Sequence, residues 1–173
     1  ANVGLLALRS DIVTEQRFNR LTAISGSKGA VLTDLSLALI RTVWQPGVPN
    51  RTLIVGDKHG GRNRYGGPLA AVVDGEFVVT LNEARAASCY RVDRAEFRFE
   101  AQGERYLQVA VASMVSKYVR EVAMLAFNRF WISHLPTLRP TKGYPQDAVR
   151  YRDEIESLRR QLQIAEECCW RQR

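Results

Sequence analysis

The chain has 173 residues, 46% of them hydrophobic and 25% charged. That suffices for one ordinary domain with a core of its own, and it excludes a disordered, collagen-like or repeat-built chain. The balance is basic, 25 Lys+Arg against 18 Asp+Glu, a net +7 with a pI near 9.7. A basic surface attracts polyanions through counterion release.

The cysteines are Cys89, Cys168 and Cys169. An odd number, with spacing unlike a zinc knuckle, predicts a reducing, cytoplasmic compartment. No apolar run reaches the roughly 18 residues of a membrane span, so no membrane partner is expected. The sequence carries no sign of oligomeric state. It opens with Ala1-Asn2-Val3 and no Met. The expectation is therefore the C-terminal part of a longer protein, with its natural end at the Arg-rich terminus.

In chain order, residues 3–13 read as a strand, because Val3, Leu5, Leu6, Leu8, Ile12 and Val13 crowd a short segment. Thr14 and Glu15 open a helix that Gly26-Ser27-Lys28-Gly29 interrupts. Val31, Leu35, Ala38 and Leu39 recur at helical spacing over residues 30–44, until Pro46, Gly47 and Pro49 stop the pattern. Thr52-Leu53-Ile54-Val55 is a continuous apolar run of the kind found in strands buried on both faces. It ends at Asp57, before a loop rich in Gly and Arg that extends to Gly67.

Residues 77–81, 88–92 and 95–101 read as short antiparallel strands. The segment from Ala95 to Glu100 alternates by two, which predicts one solvated face. Residues 108–131 form the strongest helix pattern. Val111, Val115, Tyr118, Val122 and Leu125 make one stripe, with Ser113, Lys117, Arg120, Glu121 and Asn128 opposite. A loop with three prolines leads to a last helix over 146–162, carrying Ala148, Tyr151, Ile155, Leu158 and Leu162 on one face. The order predicts a single mixed α/β domain covering residues 1–173.

Asp57 stands where a rigid strand runs out, a position suited to metal binding or catalysis; as a turn residue it would do neither. Glu121 follows Lys117 by one helical turn and reads alone as half of a surface ion pair. Lys58, His59, Arg62 and Arg64 lie among glycines, so the backbone and guanidinium groups can approach a phosphate. The alternative for that loop is a flexible solvated segment. It has no GxxxxGK[ST] pattern. His59 and His134 are isolated histidines, which are seldom ligands or bases.

Three segments together carry a family resemblance. Leu53-Ile54-Val55-Gly56-Asp57 is similar to the buried strand that ends in the third carboxylate of type II ribonucleases H. Residues 112–121, from Ala112 to Glu121, resemble that family's ASI-x-AK-x-x-RD helix, with Glu121 where the family has Asp. Lys142-Gly143-Tyr144-Pro145 is similar to the family's KGYP turn.

The resemblance implies a ribonuclease H-like mixed sheet with flanking helices, incomplete at the N-terminus. It implies an endonuclease that cleaves RNA in RNA/DNA hybrids with two Mg or Mn ions. Asp57 and Glu121 would be catalytic metal ligands. Lys117 would position a phosphate beside Ser113, and Lys142 and Tyr144 would join Lys58, His59, Arg62 and Arg64 along the nucleic acid. The family's opening strand, with its Asp-Glu pair and Gly-Arg-Gly, is missing. About 100 residues or more are therefore expected before Ala1, and this chain alone is expected to be inactive. The competing expectation is a non-catalytic nucleic-acid-binding domain of the same fold. A third is a basic assembly domain.

Overall fold

The computed structural model describes residues 4–172. The elements are α1 (Glu15–Ser25), α2 (Lys28–Arg41), β1 (Thr52–Asp57), α3 (Gly66–Ala70), β2 (Val78–Glu83), β3 (Ala87–Val92), β4 (Ala95–Glu100), α4 (Leu107–His134) and α5 (Pro145–Gln161). A 3-10 turn spans Gly103–Arg105 and another Glu166–Cys168. The chain is thus mixed α/β, with a four-stranded mixed sheet and five α-helices among the described residues. It divides into two compact units, Thr22–Ser113 with the segment up to Asp11, and Met114–Arg173 with Ile12–Leu21.

In the first unit, Gly26 takes φ +67, a left-handed conformation that ends α1 at little steric cost. Ser27 then caps α2, its Oγ accepting from the Ala30 N–H at 3.3 Å. The sheet order is β1-β4-β3-β2, with β1 parallel to β4 and the other pairs antiparallel.

One sheet face carries the core. Tyr90, Val92, Ala95, Phe97 and Phe99 pack with Leu37, Trp44, Tyr65, Leu69 and Val73. Trp44 meets Phe97 edge-on, with ring centroids 5.1 Å apart. Tyr65, Leu69 and Val73 are all fully buried. Leu69 is the buried residue of α3, and Tyr65 and Val73 flank that helix four residues to either side.

The second unit has a smaller core of Trp131, Leu138, Tyr151, Ile155 and Cys169. Tyr151 and Ile155 project from the expected face of α5. Asn128 is buried on α4 and hydrogen-bonds the incoming loop twice. Its Nδ2 donates to the Thr141 carbonyl at 2.8 Å, and its Oδ1 accepts from the Thr141 N–H at 2.8 Å. Asn19 on α1 works in the same way, donating to the Trp170 carbonyl and accepting from the Gln172 N–H, each at 2.8 Å.

Four sequence expectations are corrected. Residues 4–13 form no strand; Leu5, Leu6, Leu8 and Ile12 are exposed, and no sheet neighbour pairs them. Val3 lies outside the described residues. The apolar run of β1 is an edge strand, not one buried on both faces, and Leu53 is exposed.

The alternation in β4 holds for the core face, but Glu100 on the opposite face is buried rather than solvated. On α4 the stripe faces the wrong way for a core helix. Val111, Tyr118, Val122 and Leu125 are exposed, and Asn128, from the expected polar face, is buried beside Trp131.

Candidate functional site

β1 positions Asp57 at its last residue, with an exposed side chain. Its Oδ1 accepts the Gly103 N–H at 3.2 Å. Gly103 packs against the end of β1, where a Cβ would come into ordinary contact with the Asp57 backbone at 3.5 Å. The register partner of Asp57 is Glu100 at the end of β4. Glu100 is buried, accepts from the Tyr106 hydroxyl at 2.9 Å and forms an ion pair with Arg105. The sequence reading missed this second acid. Strand alternation alone put it on a solvated face, whereas Arg105 and Tyr106, in and after the following 3-10 turn, hold its carboxylate.

The loop after Asp57 is tied down rather than loose. Lys58 Nζ donates to Asn63 Oδ1 at 2.7 Å and to the Ala84 carbonyl at 2.5 Å, joining the loop to the β2–β3 turn. Partial burial lowers its pKa from the usual lysine range. The His59 N–H donates to the Tyr65 hydroxyl at 2.9 Å, and its Nδ1 lies 3.1 Å from Thr33 Oγ1. Burial, with a smaller effect from Arg62, lowers the His59 pKa and favours the neutral ring.

Tyr65 stacks on Phe99 with centroids 3.9 Å apart, and its N–H donates to the Tyr90 hydroxyl at 2.8 Å. The Tyr90 hydroxyl donates to Glu83; burial first and that acceptor second push its pKa up to about 12. Ser88 Oγ donates to the Asn63 carbonyl at 2.6 Å.

Lys58 and His59 therefore act as struts. Arg62, half-buried, and Arg64, exposed, are the loop's other cations. Arg62 lies 6.0 Å from the Tyr65 ring centroid, and Arg64 is 90% exposed, 3.8 Å from a Glu83 oxygen. The Lys58–Ala84 bond also joins the loop to the turn that carries exposed Arg85, a residue that sequence reasoning passed over. Its signal was faint, one Arg in a tight turn between two short strands.

In the second unit Glu121 is exposed on α4 and pairs with Arg120 at 3.2 Å, not with Lys117 one turn earlier. Arg120 is the organising residue there. Its guanidinium donates to the Lys142 carbonyl at 2.5 Å and lies 5.3 Å from the Tyr144 ring centroid. Gly143, with φ +72, lets the turn fold back onto Met124. Lys142 and Tyr144 are thus held to α4 through Arg120. Lys117 and Ser113 are exposed on the same helix. His134 is held locally by the Phe130 carbonyl at 2.9 Å and by Ser133.

Among the described residues no group of three or more His, Cys, Asp or Glu is placed to hold a metal ion. Divalent hard cations need clustered oxygen donors. Asp57 already accepts an amide, Glu100 is neutralised by Arg105, and Glu121 faces Arg120. The donor set within each unit does not fit a two-metal centre without further ligands.

The three cysteines are free. Among the described residues no single helix is long and apolar enough to cross a membrane. No protein-family model, no curated protein and no solved structure matches the chain.

Proposed function

We propose that this protein is a nucleic-acid-binding α/β domain of the ribonuclease H-like class. It engages a duplex, RNA/DNA hybrid included, at the end of the sheet where β1 runs out. The supporting observation is the bracing of the loop after β1, which anchors the segment carrying Arg62 and Arg64 through Lys58, His59, Tyr65 and Ser88 and ties it to the turn that bears Arg85. Cations on a braced loop lose little conformational entropy on binding, so more of the phosphate attraction becomes affinity. Arginine suits this role because its planar fork meets two phosphate oxygens at once.

A second reading keeps the hydrolase. In it Asp57 and Glu121 bind Mg or Mn, and Lys117 positions the phosphate. It is favoured by one observation, the exposure of Asp57 at the carboxyl end of a parallel strand under the Gly103 amide. That chemistry needs carboxylates beyond those grouped within either unit, so the chain by itself is expected to bind without cutting.

The test uses a fluorescent RNA/DNA hybrid with and without Mg²⁺. Binding in EDTA without cleavage supports the first reading, and Arg62→Ala/Arg64→Ala/Arg85→Ala should weaken it strongly. Cleavage in Mg²⁺ that disappears in Asp57→Asn moves the assignment to the hydrolase. Binding that the triple substitution leaves intact rejects the basic loop.

A further inference from the structure

The two edges of the sheet are built differently. On β2 the pairing register shifts between Thr80 and Asn82, a bulge. Such irregularities twist an edge away from partners. β1 has no bulge, no proline and no charge before its final Asp57.

The hydrogen bonding of β1 shows which groups face β4 and which face the open edge. The Thr52 N–H bonds the Arg94 carbonyl at 3.3 Å, and the Lys58 N–H bonds the Glu100 carbonyl at 3.1 Å. Even-numbered residues therefore turn their backbone toward β4. With a period of two, the N–H and C=O of Leu53, Val55 and Asp57 point out of the sheet. Half-buried backbone groups without partners are costly, and a second strand is the direct way to satisfy them.

The residues along this edge suit a copy of themselves. In an antiparallel pair centred on Ile54, Leu53 faces Val55 of the second copy, and Arg51 faces its Asp57. Those opposed residues are all odd-numbered, so their outward backbone groups exchange hydrogen bonds and their side chains share one face. The arrangement is two-fold, so the Leu–Val and Arg–Asp pairs each occur twice. Arg51 and Asp57 are exposed, and Leu53 is 51% exposed. A parallel pairing would lose the charge match.

We propose that two copies of this chain associate through β1, joining their sheets into one of eight strands. The inference does not rest on nucleic-acid binding, and its test contains no nucleic acid. Sedimentation velocity of the full chain over a concentration series should show a monomer–dimer equilibrium. Arg51→Glu sets like charges opposite each other at two places and should weaken dimerisation about tenfold or more. Combining it with Asp57→Lys restores opposite charges and should recover the dimer, an outcome that a merely structural role for either residue would not give. Amide exchange at Leu53, Val55 and Asp57 should slow as concentration rises.

Leu53→Lys, which leaves the β4-facing backbone untouched, should give a folded monomer by circular dichroism. A chain that stays monomeric at every concentration overturns the proposal. So does a dimer indifferent to Arg51→Glu and Leu53→Lys.

Discussion

The loop after β1 and the outward stripe of α4 contrast sharply. The loop is rich in Gly and Arg, the composition of a mobile segment, yet its side chains fasten it to α2, to β3 and to the β2–β3 turn. The stripe has the spacing of a core helix, yet its Val111, Tyr118, Val122 and Leu125 are exposed, as are Leu107 and Met114 on the same helix, over 19 residues or roughly 27 Å of helix. Composition misleads where buried hydroxyls do the fastening. Periodicity identifies a helix without saying which side is covered.

Substitution of the two tyrosines gives the largest expected difference. Tyr65 is fully buried, stacked on Phe99 and hydrogen-bonded at both its N–H and its hydroxyl. Tyr65→Ala should lose about 3–5 kcal/mol in urea unfolding. Tyr118, 70% exposed on the stripe, should lose no more than about 0.5 kcal/mol on the same change. Equal losses would erase the contrast.

Next comes the covered side of α4. Asn128→Ala strands the Thr141 N–H and C=O in a buried site and should cost about 1–3 kcal/mol. A neutral result would mean that the buried side of α4 is as dispensable as its stripe.

His59 gives a smaller effect with a definite sign. Its pKa is lowered in the folded protein, so the unfolded chain binds more protons in the window between the two values. Stability contributed by neutral His59 is whole above the ordinary value near 6.5. It declines as pH falls below that value toward the folded one. Urea midpoints at successively lower pH should fall more steeply for wild type than for His59→Gln; parallel curves would show that the ring is not held neutral. The smallest effect is expected at Glu121. Its exposed pair with Arg120 predicts a change under about 0.5 kcal/mol for Glu121→Gln.

Much of the local structure was legible in the sequence. The break at Gly26, the end of β1 at Asp57, the three strands after it and the buried face of α5 all follow from glycine conformation and from periods of two and 3.6. The segment 4–13 was misread because an apolar run becomes a strand only if a neighbour supplies its hydrogen bonds. Helix α3 was hidden by Gly66, Gly67 and Pro68, although Tyr65, Leu69 and Val73 held the signal.

The candidate site was half legible. Asp57 and Arg64 stand out as exposed groups at a strand end, with half-buried Arg62 between them. Lys58 and His59 proved to be bracing, because hydrogen bonds to Ala84 and Thr33 join residues that sequence proximity does not connect. The burial of Glu100 and the hold of Arg120 on the Lys142–Tyr144 turn escaped notice for the same reason.

The salt dependence of hybrid binding tests the braced basic loop most directly. The logarithm of affinity should fall linearly with the logarithm of salt concentration. For Arg62→Ala/Arg64→Ala/Arg85→Ala the slope should be shallower than wild type by about two to three. A triple variant with the wild-type slope, or a wild-type chain with no hybrid affinity at low salt, would contradict it.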